Sequence, residues 1–270
     1  MYKIVACDLD ETLIRLDRTI SRENIEAIKA LKRAGVMFVP ATGRGYGSVD
    51  VTLRELGLYD EEGQYVISFN GGVITENKNH RVVHYQGIPF DIADELYRRG
   101  IAYGECVHVY TRDMVYIYNL VQEEIDYLAG RMEVKEVDEP SLDFLHGQDI
   151  IKCLYMNTDR QRLESIADDL RDITADIEVS YSSNRYIEFN AVGVSKGEGL
   201  RRLAGLLGVE MRDTVAIGDN FNDLSMIRAA GLGVGVRNTP EDMKPLCGAI
   251  TEGTCDESAV AEVIYKYLLK

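Results

Sequence analysis

The sequence predicts an α/β fold in which a core domain with a parallel β-sheet carries a smaller, inserted α+β domain. Three observations support this prediction. Apolar runs alternate with helical patterns near both ends of the chain, short β-rich segments crowd the middle, and polar residues directly follow several apolar runs. Strands that alternate with helices favour a parallel sheet, whereas short strands close together favour an antiparallel module.

The N-terminal part contains three apolar runs that we interpret as strands, at 3–10 (KIVACDLD), 35–42 (GVMFVPAT) and 64–72 (QYVISFNGG). A helix is predicted between the first two, because Ser21 can cap its N-terminus, apolar residues fall on one face and Gly35 can end it. A second helical pattern, at 48–57, separates the second and third runs. These spacings are typical of βαβ units.

From about 82 to 190 the sequence changes to short β-rich segments. The predicted strands are a hairpin at 107–119 around Arg112 and Asp113, together with 150–157, 177–184 and 185–190. Helical spacing is clear at 160–172 and weaker at 121–132. We therefore predict a core domain at 1–82 and 190–270, and an inserted domain at 83–189.

The alternating pattern returns in the C-terminal part of the chain. It predicts a helix at 195–208, a strand at 213–219, a helix at 222–231 and a strand at 231–236. These elements extend the parallel sheet of the core domain.

Composition limits the classes of function. The 270 residues are 46% hydrophobic, which allows a substantial core, and carry a formal net charge of -15. A surface with this charge repels nucleic acid and anionic membranes, so we expect neither as a partner. The five cysteines are scattered without CxxC spacing, and no run resembles a membrane span or a signal peptide. We expect reduced thiols in a soluble, cytoplasmic protein.

Acidic and polar residues follow the predicted strands of the core domain. They are Asp8 and Asp10 after the first strand, Thr42, Gly43 and Arg44 after the second, Asn70 after the third, and Asp219, Asn222 and Asp223 in the segment 218–223. Ligands of open α/β sheets bind beyond the carboxyl ends of the strands, so these residues can meet there. Carboxylates gathered at one edge require a hard cation such as Mg²⁺, although a single acid often only caps a helix or loop.

Lys196 offers the local cation that an acidic protein needs to bind an anionic substrate. It stands in the segment GVSKGEG, where Ser195 and Glu198 have the spacing of a helix capping box. An anion is favoured where a helix N-terminus and an ammonium group meet. The simpler interpretation is an exposed surface lysine.

Four segments, in this order, resemble the motifs of the haloacid dehalogenase superfamily, and specifically of its Cof-type phosphatases with a type-two cap. They are DLDET at 8–12, ATGR at 41–44, SKG at 195–197 and GDNFNDLSM at 218–226. The resemblance covers essentially the whole chain. It implies a Rossmann-like core domain, a cap formed by the insert, and a Mg²⁺-dependent phosphatase that works through an aspartyl-phosphate.

The resemblance also implies roles for single residues. Asp8 is expected to be the nucleophile, and Asp10 the general acid and base. Mg²⁺ is expected on the carboxylates of Asp8 and Asp219 and on the backbone carbonyl of Asp10. The expected phosphate-binding residues are Thr42, Gly43, Lys196 and Asn222, with Asp223 supporting Lys196 or metal-bound water. Asn70 either touches substrate or orders its turn, and Arg44 either binds substrate or forms a surface ion pair.

The insert is expected to select the leaving group. Ten of the sixteen tyrosines lie between 83 and 190, which fits either a ring-lined pocket or ordinary half-exposed strands. We expect a small phosphate ester as substrate, with sugar phosphates first and pyridoxal phosphate and flavin mononucleotide next. The chain is expected to act as a monomer or homodimer.

Three other functions are compatible with parts of the sequence. A phosphosugar mutase of the same superfamily would differ in needing a sugar bisphosphate activator. A nucleotide-binding module is suggested by GLGVGV at 231–236, although this run lacks GxGxxG spacing. A catalytically silent phosphate-binding regulator would require the loss of a catalytic acid, and each expected acid is present in the sequence.

Overall fold

A computed structural model describes residues 2–130, 132–182 and 184–269. Its strands, in chain order, are Ile4–Cys7 (β1), Met37–Pro40 (β2), Tyr65–Ser68 (β3), Val73–Glu76 (β4), Arg81–Tyr85 (β5), Cys106–Thr111 (β6), Val115–Tyr118 (β7), Val134–Val137 (β8), Ile150–Met156 (β9), Ile177–Ser182 (β10), Tyr186–Ala191 (β11), Thr214–Gly218 (β12), Leu232–Gly235 (β13) and Ala249–Ile250 (β14). Its α-helices are Arg22–Arg33 (α1), Asp50–Leu56 (α2), Phe90–Tyr103 (α3), Gln122–Leu128 (α4), Arg160–Asp169 (α5), Lys196–Leu206 (α6), Leu224–Ala229 (α7) and Ala259–Val263 (α8).

The chain divides into two compact units. Unit 1 comprises Met1–Tyr85 and Ser195–Lys270, and unit 2 comprises Gln86–Val194. The boundaries predicted at 82 and 190 fall inside β5 and β11, because β5 pairs with β4 up to Tyr85 and β11 pairs with β10 up to Ala191. The side chain of Gln86 donates a hydrogen bond to the carbonyl of Val192 at 2.7 Å, so the two ends of unit 2 lie side by side.

Unit 1 contains a parallel sheet with the strand order β14-β13-β12-β1-β2. All four residues of β1 are buried, because Val5 and Cys7 face one hydrophobic core and Ile4 and Ala6 face the other. A strand that is covered on both faces has no polar face, which explains its continuous apolar run. Ser21 caps α1 as predicted, with its side chain accepting a hydrogen bond from the Asn24 amide at 3.0 Å.

The run at 64–72 forms a strand that lies parallel to β2, as predicted, because Ala41 and Ile67 are joined by a parallel bridge and the Thr42 amide donates to the Ile67 carbonyl at 2.8 Å. Its other neighbour, β4, was not predicted. β3 pairs antiparallel with β4 in a separate three-stranded sheet, β3-β4-β5. The reason is the turn after β3. Phe69, Asn70 and Gly71 have positive φ angles of 51°, 54° and 102°, which reverse the chain directly into β4 without a crossover helix.

Unit 2 is built on a six-stranded sheet with the order β10-β11-β9-β6-β7-β8. The hairpins predicted at 107–119 and 177–190 are the antiparallel pairs β6/β7 and β10/β11. Residues of α3 and α5 pack with one face of the sheet in a core that includes Tyr97, Tyr155 and Phe189. The sequence did not predict α3, nor strand β8, which pairs parallel to β7.

Charged and polar side chains are buried within unit 2. His108 and Glu124 are both fully buried, with 3.5 Å between His108 Nε2 and Glu124 Oε1. Glu124 also accepts a hydrogen bond from the hydroxyl of Tyr186 at 2.6 Å. Burial lowers the pKa of His108 to about 3, and the positive charges of Lys152 and Arg185 contribute to the same shift. The imidazole is therefore neutral in the folded protein at neutral pH.

We expect His108 to make the protein less stable in acid. Between pH 6.5 and the folded-state pKa of about 3, the unfolded chain binds a proton at His108 that the folded chain does not. This residue alone therefore removes stability as the pH falls below 6.5, by up to about 1.4 kcal/mol per pH unit. Urea unfolding between pH 7 and 5 should show a smaller decline for His108→Gln than for wild type. His146→Gln, at an exposed histidine of the same unit, is the control and should keep the wild-type decline.

All five cysteines are free, in agreement with the absence of a disulfide pattern in the sequence. Among the helices of residues 2–130, 132–182 and 184–269, none has both the length and the apolar composition that crossing a bilayer requires.

Candidate active site

The candidate site lies in unit 1, where the carboxyl ends of three neighbouring strands meet. β1 stands between β2 and β12, and Cys7 is in register with Pro40 on one side and with Ile217 on the other. Asp8 continues beyond β1 and donates its amide hydrogen to the carbonyl of Ile217 at 2.9 Å. The segments that carry Asp8, Thr42 and Asp219 therefore leave the sheet at the same edge, as the sequence predicts.

Three buried carboxylates gather at this edge. Asp8, Asp219 and Asp223 each offer an oxygen, and these oxygens lie within 4.8 Å of one another. Asp219 accepts a hydrogen bond from the hydroxyl of Thr12 at 2.7 Å. Asp223 accepts from the backbone amides of Asp219 and Asn220 at 2.9 and 3.0 Å, so it shapes the loop that carries Asp219.

Lys196 joins this cluster as its cation. Its side chain is fully buried, and Nζ donates to Oδ1 of Asp8 and, at 2.6 Å, to Oδ1 of Asp223. The predicted cap is present, because the Ser195 hydroxyl accepts from the Glu198 amide at 3.2 Å. The simpler interpretation, an exposed surface lysine, is therefore wrong.

Close backbone packing fixes the start of α6. A Cβ atom at Gly71 would lie 2.2 Å from the carbonyl oxygen of Ser195, and Gly71 has a φ of +102°. Only glycine can therefore occupy this position of the turn without moving the residue that precedes Lys196.

The electrostatics of the cluster are unbalanced. Burial raises the pKa of Asp8 well above its ordinary value, Asp223 raises it further, and Lys196 opposes both effects. Burial also raises the pKa of Asp219, to about 6, with Asp223 as the next contributor. Burial alone would lower the pKa of Lys196, but Asp223 and Asp8 outweigh it and raise that pKa. Three carboxylates face one ammonium group, so the ionised cluster is short of positive charge.

The donor set fits a hard divalent cation. Asp8 and Asp219 each use one carboxylate oxygen in the hydrogen bonds given above, and within the described part of the chain their second oxygens have no hydrogen-bond donor. Both oxygens of Asp223 accept hydrogen bonds from Lys196 and from backbone amides, which suits the supporting role predicted for it. A cation held by Asp8 and Asp219 would offset the excess negative charge.

Thr42 and Gly43 lie beside the turn that holds Asn70. The carbonyl of Thr42 accepts from the Asn70 amide at 2.9 Å, which orders the turn. A Cβ atom at Gly43 would lie 3.3 Å from Asn70 Oδ1, so the Asn70 carboxamide stands against the Gly43 backbone. Oδ1 is itself buried and, within the described residues, has no hydrogen-bond partner. Asn70 thus orders its turn while retaining an acceptor beside the predicted phosphate-binding segment.

Asp10 and Arg44 form an ion pair. Arg44 Nε donates to Asp10 Oδ2 at 2.8 Å, and Nη2 donates to Asp10 Oδ1. The Asp10 side chain is 53% exposed and is not part of the buried Asp8–Asp219–Asp223 cluster. Arg44 does form an ion pair, but with the predicted general acid. Asn222 is exposed, and its predicted contact with phosphate stays a prediction.

The sequence profile of the haloacid dehalogenase-like hydrolases matches residues 5–264. The chain belongs to this family. The resemblance inferred from the four motifs is thereby confirmed, and with it the prediction that this haloacid dehalogenase-like hydrolase is a phosphatase of the superfamily.

Similar proteins span the whole hydrolase. YxeH of Bacillus subtilis (strain 168) is 31% identical over 278 residues, covering 100% of this chain and 99% of the relative. The 5-amino-6-(5-phospho-D-ribitylamino)uracil phosphatase YwtE of the same organism is 29% identical over 98% of each chain. The crystal structure of a haloacid dehalogenase-like hydrolase from Bacteroides thetaiotaomicron is similar with a TM-score of 0.87 and 28% identity, covering 98% of this chain and 99% of that one.

One feature of the hydrolase lacked a role in the sequence analysis, and a second has a role other than the nucleotide binding suggested there. Thr12, the last residue of DLDET, orients Asp219 through its hydroxyl, and its place in the first motif was the available signal. The glycines at 231–236 have a packing role, because a Cβ atom at Gly233 would lie 2.1 Å from the carbonyl oxygen of Ile227 in α7. This close approach explains the glycine there without a nucleotide.

Proposed function

We propose that this hydrolase is a Mg²⁺-dependent phosphatase of small phosphate monoesters that forms a covalent phosphoryl intermediate on Asp8. The observation that carries the proposal is the buried cluster of Asp8, Asp219 and Asp223 with Lys196 at the ends of β1 and β12. It combines a carboxylate nucleophile, a site for a hard cation and a cation for the phosphate oxygens.

The first step transfers the phosphoryl group to the protein. A carboxylate oxygen of Asp8 forms a bond to phosphorus, the bond from phosphorus to the ester oxygen breaks, and Asp10 gives a proton to the departing alcohol. In the second step a water molecule attacks phosphorus, Asp10 accepts its proton, and the bond between Asp8 and phosphorus breaks. Two moderate barriers thus replace one high barrier.

The other residues bind and orient the phosphate. Lys196 and the backbone of Gly43 donate to the non-bridging oxygens of the phosphoryl group, together with the hydroxyl of Thr42 and the carboxamide of Asn222. The Asp8 and Asp219 carboxylates and the Asp10 carbonyl would hold Mg²⁺, which supplies positive charge against the charge that develops on the phosphate. Asp223 holds Lys196 and the Asp219 loop in place.

We propose a phosphorylated sugar or sugar alcohol as the substrate class, with pyridoxal phosphate and flavin mononucleotide as the next candidates. The YwtE relative, whose name includes a phosphoribityl group, supports a phosphate ester of a sugar or sugar alcohol chain. We assign the choice of leaving group to unit 2. The net charge of -15 favours a small-molecule partner over nucleic acid or a membrane surface. We also propose that the protein is a cytoplasmic monomer or homodimer.

Removal of divalent metal is expected to stop the reaction. Hydrolysis of p-nitrophenyl phosphate should fall to the uncatalysed rate after treatment with a chelator and return when Mg²⁺ is added in excess, because the carboxylate cluster otherwise repels the phosphate. Undiminished turnover in chelator would contradict the proposal. A panel of phosphate esters ranked by kcat/KM, with and without a sugar bisphosphate, then identifies the substrate and separates a phosphatase from a mutase.

A further inference from the structure

The ion pair between Arg44 and Asp10 connects two segments that are 34 residues apart in sequence. The Asp10 side chain is 53% exposed, so packing does not determine its orientation. Arg44 donates from two different nitrogens, Nε and Nη2, to the two different carboxylate oxygens. A two-point contact of this kind fixes the plane of a carboxylate, which a single hydrogen bond cannot do.

The backbone of Arg44 is held on both sides. Its amide donates to the hydroxyl of Thr42 at 3.1 Å, and its carbonyl accepts from the Phe69 amide at 3.0 Å. The guanidinium group therefore projects from a segment that is tied to the predicted phosphate-binding residues and to the turn at 69–71. Such an anchored donor can set the orientation of an exposed carboxylate.

We infer that Arg44 is a positioning residue for Asp10, rather than a surface ion pair or a direct phosphate ligand. It orients the carboxylate toward the ester oxygen. A carboxylate has about four lone-pair directions, so two remain for the leaving group and water when Arg44 occupies the other two. This inference rests on the proposed function, in which Asp10 transfers the proton.

The test uses two esters that differ in their need for a proton. p-Nitrophenyl phosphate releases a weakly basic phenolate, whereas phenyl phosphate releases a more basic one that depends more on a general acid. The quantity measured is kcat/KM for phosphate release, because it reports the step in which the ester bond breaks. Arg44→Gln, Asp10→Asn and the double variant are compared with wild type.

We expect Arg44→Gln to lower kcat/KM for phenyl phosphate about tenfold more than for p-nitrophenyl phosphate, because a misplaced acid loses much of its effect. Asp10→Asn should likewise lose more kcat/KM for phenyl phosphate than for p-nitrophenyl phosphate. The double variant should be no slower than Asp10→Asn alone. Arg44→Lys keeps the charge but loses the two-point contact. Its extra loss of kcat/KM for phenyl phosphate should therefore be in the same direction as that of Arg44→Gln, but smaller. Arg212→Gln, at an exposed arginine that pairs with Glu210, should match wild type.

The inference would be overturned if Arg44→Gln lowered kcat/KM equally for both esters and if the double variant showed the sum of the two single effects. Arg44 would then bind the phosphate directly. Unchanged kinetics in Arg44→Gln would leave only a surface ion pair. If Arg44→Gln does not fold, Arg44→Lys decides by the same comparison. A loss in Asp10→Asn that is independent of the leaving group would instead contradict the proposed role of Asp10, whatever Arg44 does.

Discussion

Replacing Asp8 with asparagine is expected to abolish hydrolysis of phosphate esters while leaving the folded protein at least as stable as wild type. Activity should fall by about 10³-fold or more, because the carboxamide cannot form the bond to phosphorus. Stability should be retained because the substitution removes one of three buried carboxylates that share a single ammonium group. Lys196 keeps Asp223 as its partner.

Two measurements check this expectation. Phosphate release from p-nitrophenyl phosphate gives the activity, and urea unfolding in metal-free buffer gives the free energy of unfolding. Glu26→Gln removes an exposed carboxylate from α1 and should change neither quantity appreciably. An active Asp8→Asn protein would contradict the assigned nucleophile, and a strongly destabilised one would contradict the electrostatic description of the cluster.

Replacing Lys196 with methionine is expected to have the largest effect on stability. The variant leaves Asp8 and Asp223 buried without their shared cation, and the removal of one partner of a buried ion pair costs about 3–5 kcal/mol. Urea unfolding in metal-free buffer should show a loss of that size. Hydrolysis should also fall sharply, because the phosphate oxygens lose a buried ammonium donor.

A second variant separates charge from packing in this experiment. Lys196→Met combined with Asp223→Asn removes one of the two carboxylates that are left without a cation. The double variant should therefore recover part of the lost stability without recovering activity. If the double variant is less stable than Lys196→Met by the full effect of Asp223→Asn, the two residues do not interact as the 2.6 Å contact requires.

The sequence predicted the parallel core well because its signals are local. β1 is a continuous apolar run, and α1 and α6 are capped by Ser21 and Ser195, whose side chains bind backbone amides three positions away. The sheet of β3 could not be predicted in the same way. Its antiparallel pairing with β4 depends on the reversal at Phe69–Gly71, where two residues other than glycine adopt positive φ. α3 begins after Pro89 without a side-chain cap, so it lacks the signal that marks α1.

The candidate site shows the same division between local and distant signals. The convergence of Asp8 and Asp219 follows from the parallel direction of β1 and β12, which the alternating pattern indicates. The partner of Arg44 does not follow from any pattern, because it depends on how two loops lie beside each other. The assigned roles of these residues stay predictions until the variants are measured.

The hydrogen bond between Gln86 and Val192 has a consequence for how such enzymes can diversify. The insert begins near Gln86 and ends near Val192, and it has its own hydrophobic core. Another insert whose two ends lie equally close together could therefore replace it while unit 1 keeps its fold. With unit 2 in its proposed role of selecting the leaving group, the choice of substrate could then change while the reaction chemistry stays the same. Unit 1 would keep the proposed reaction, and unit 2 could be replaced by another insert.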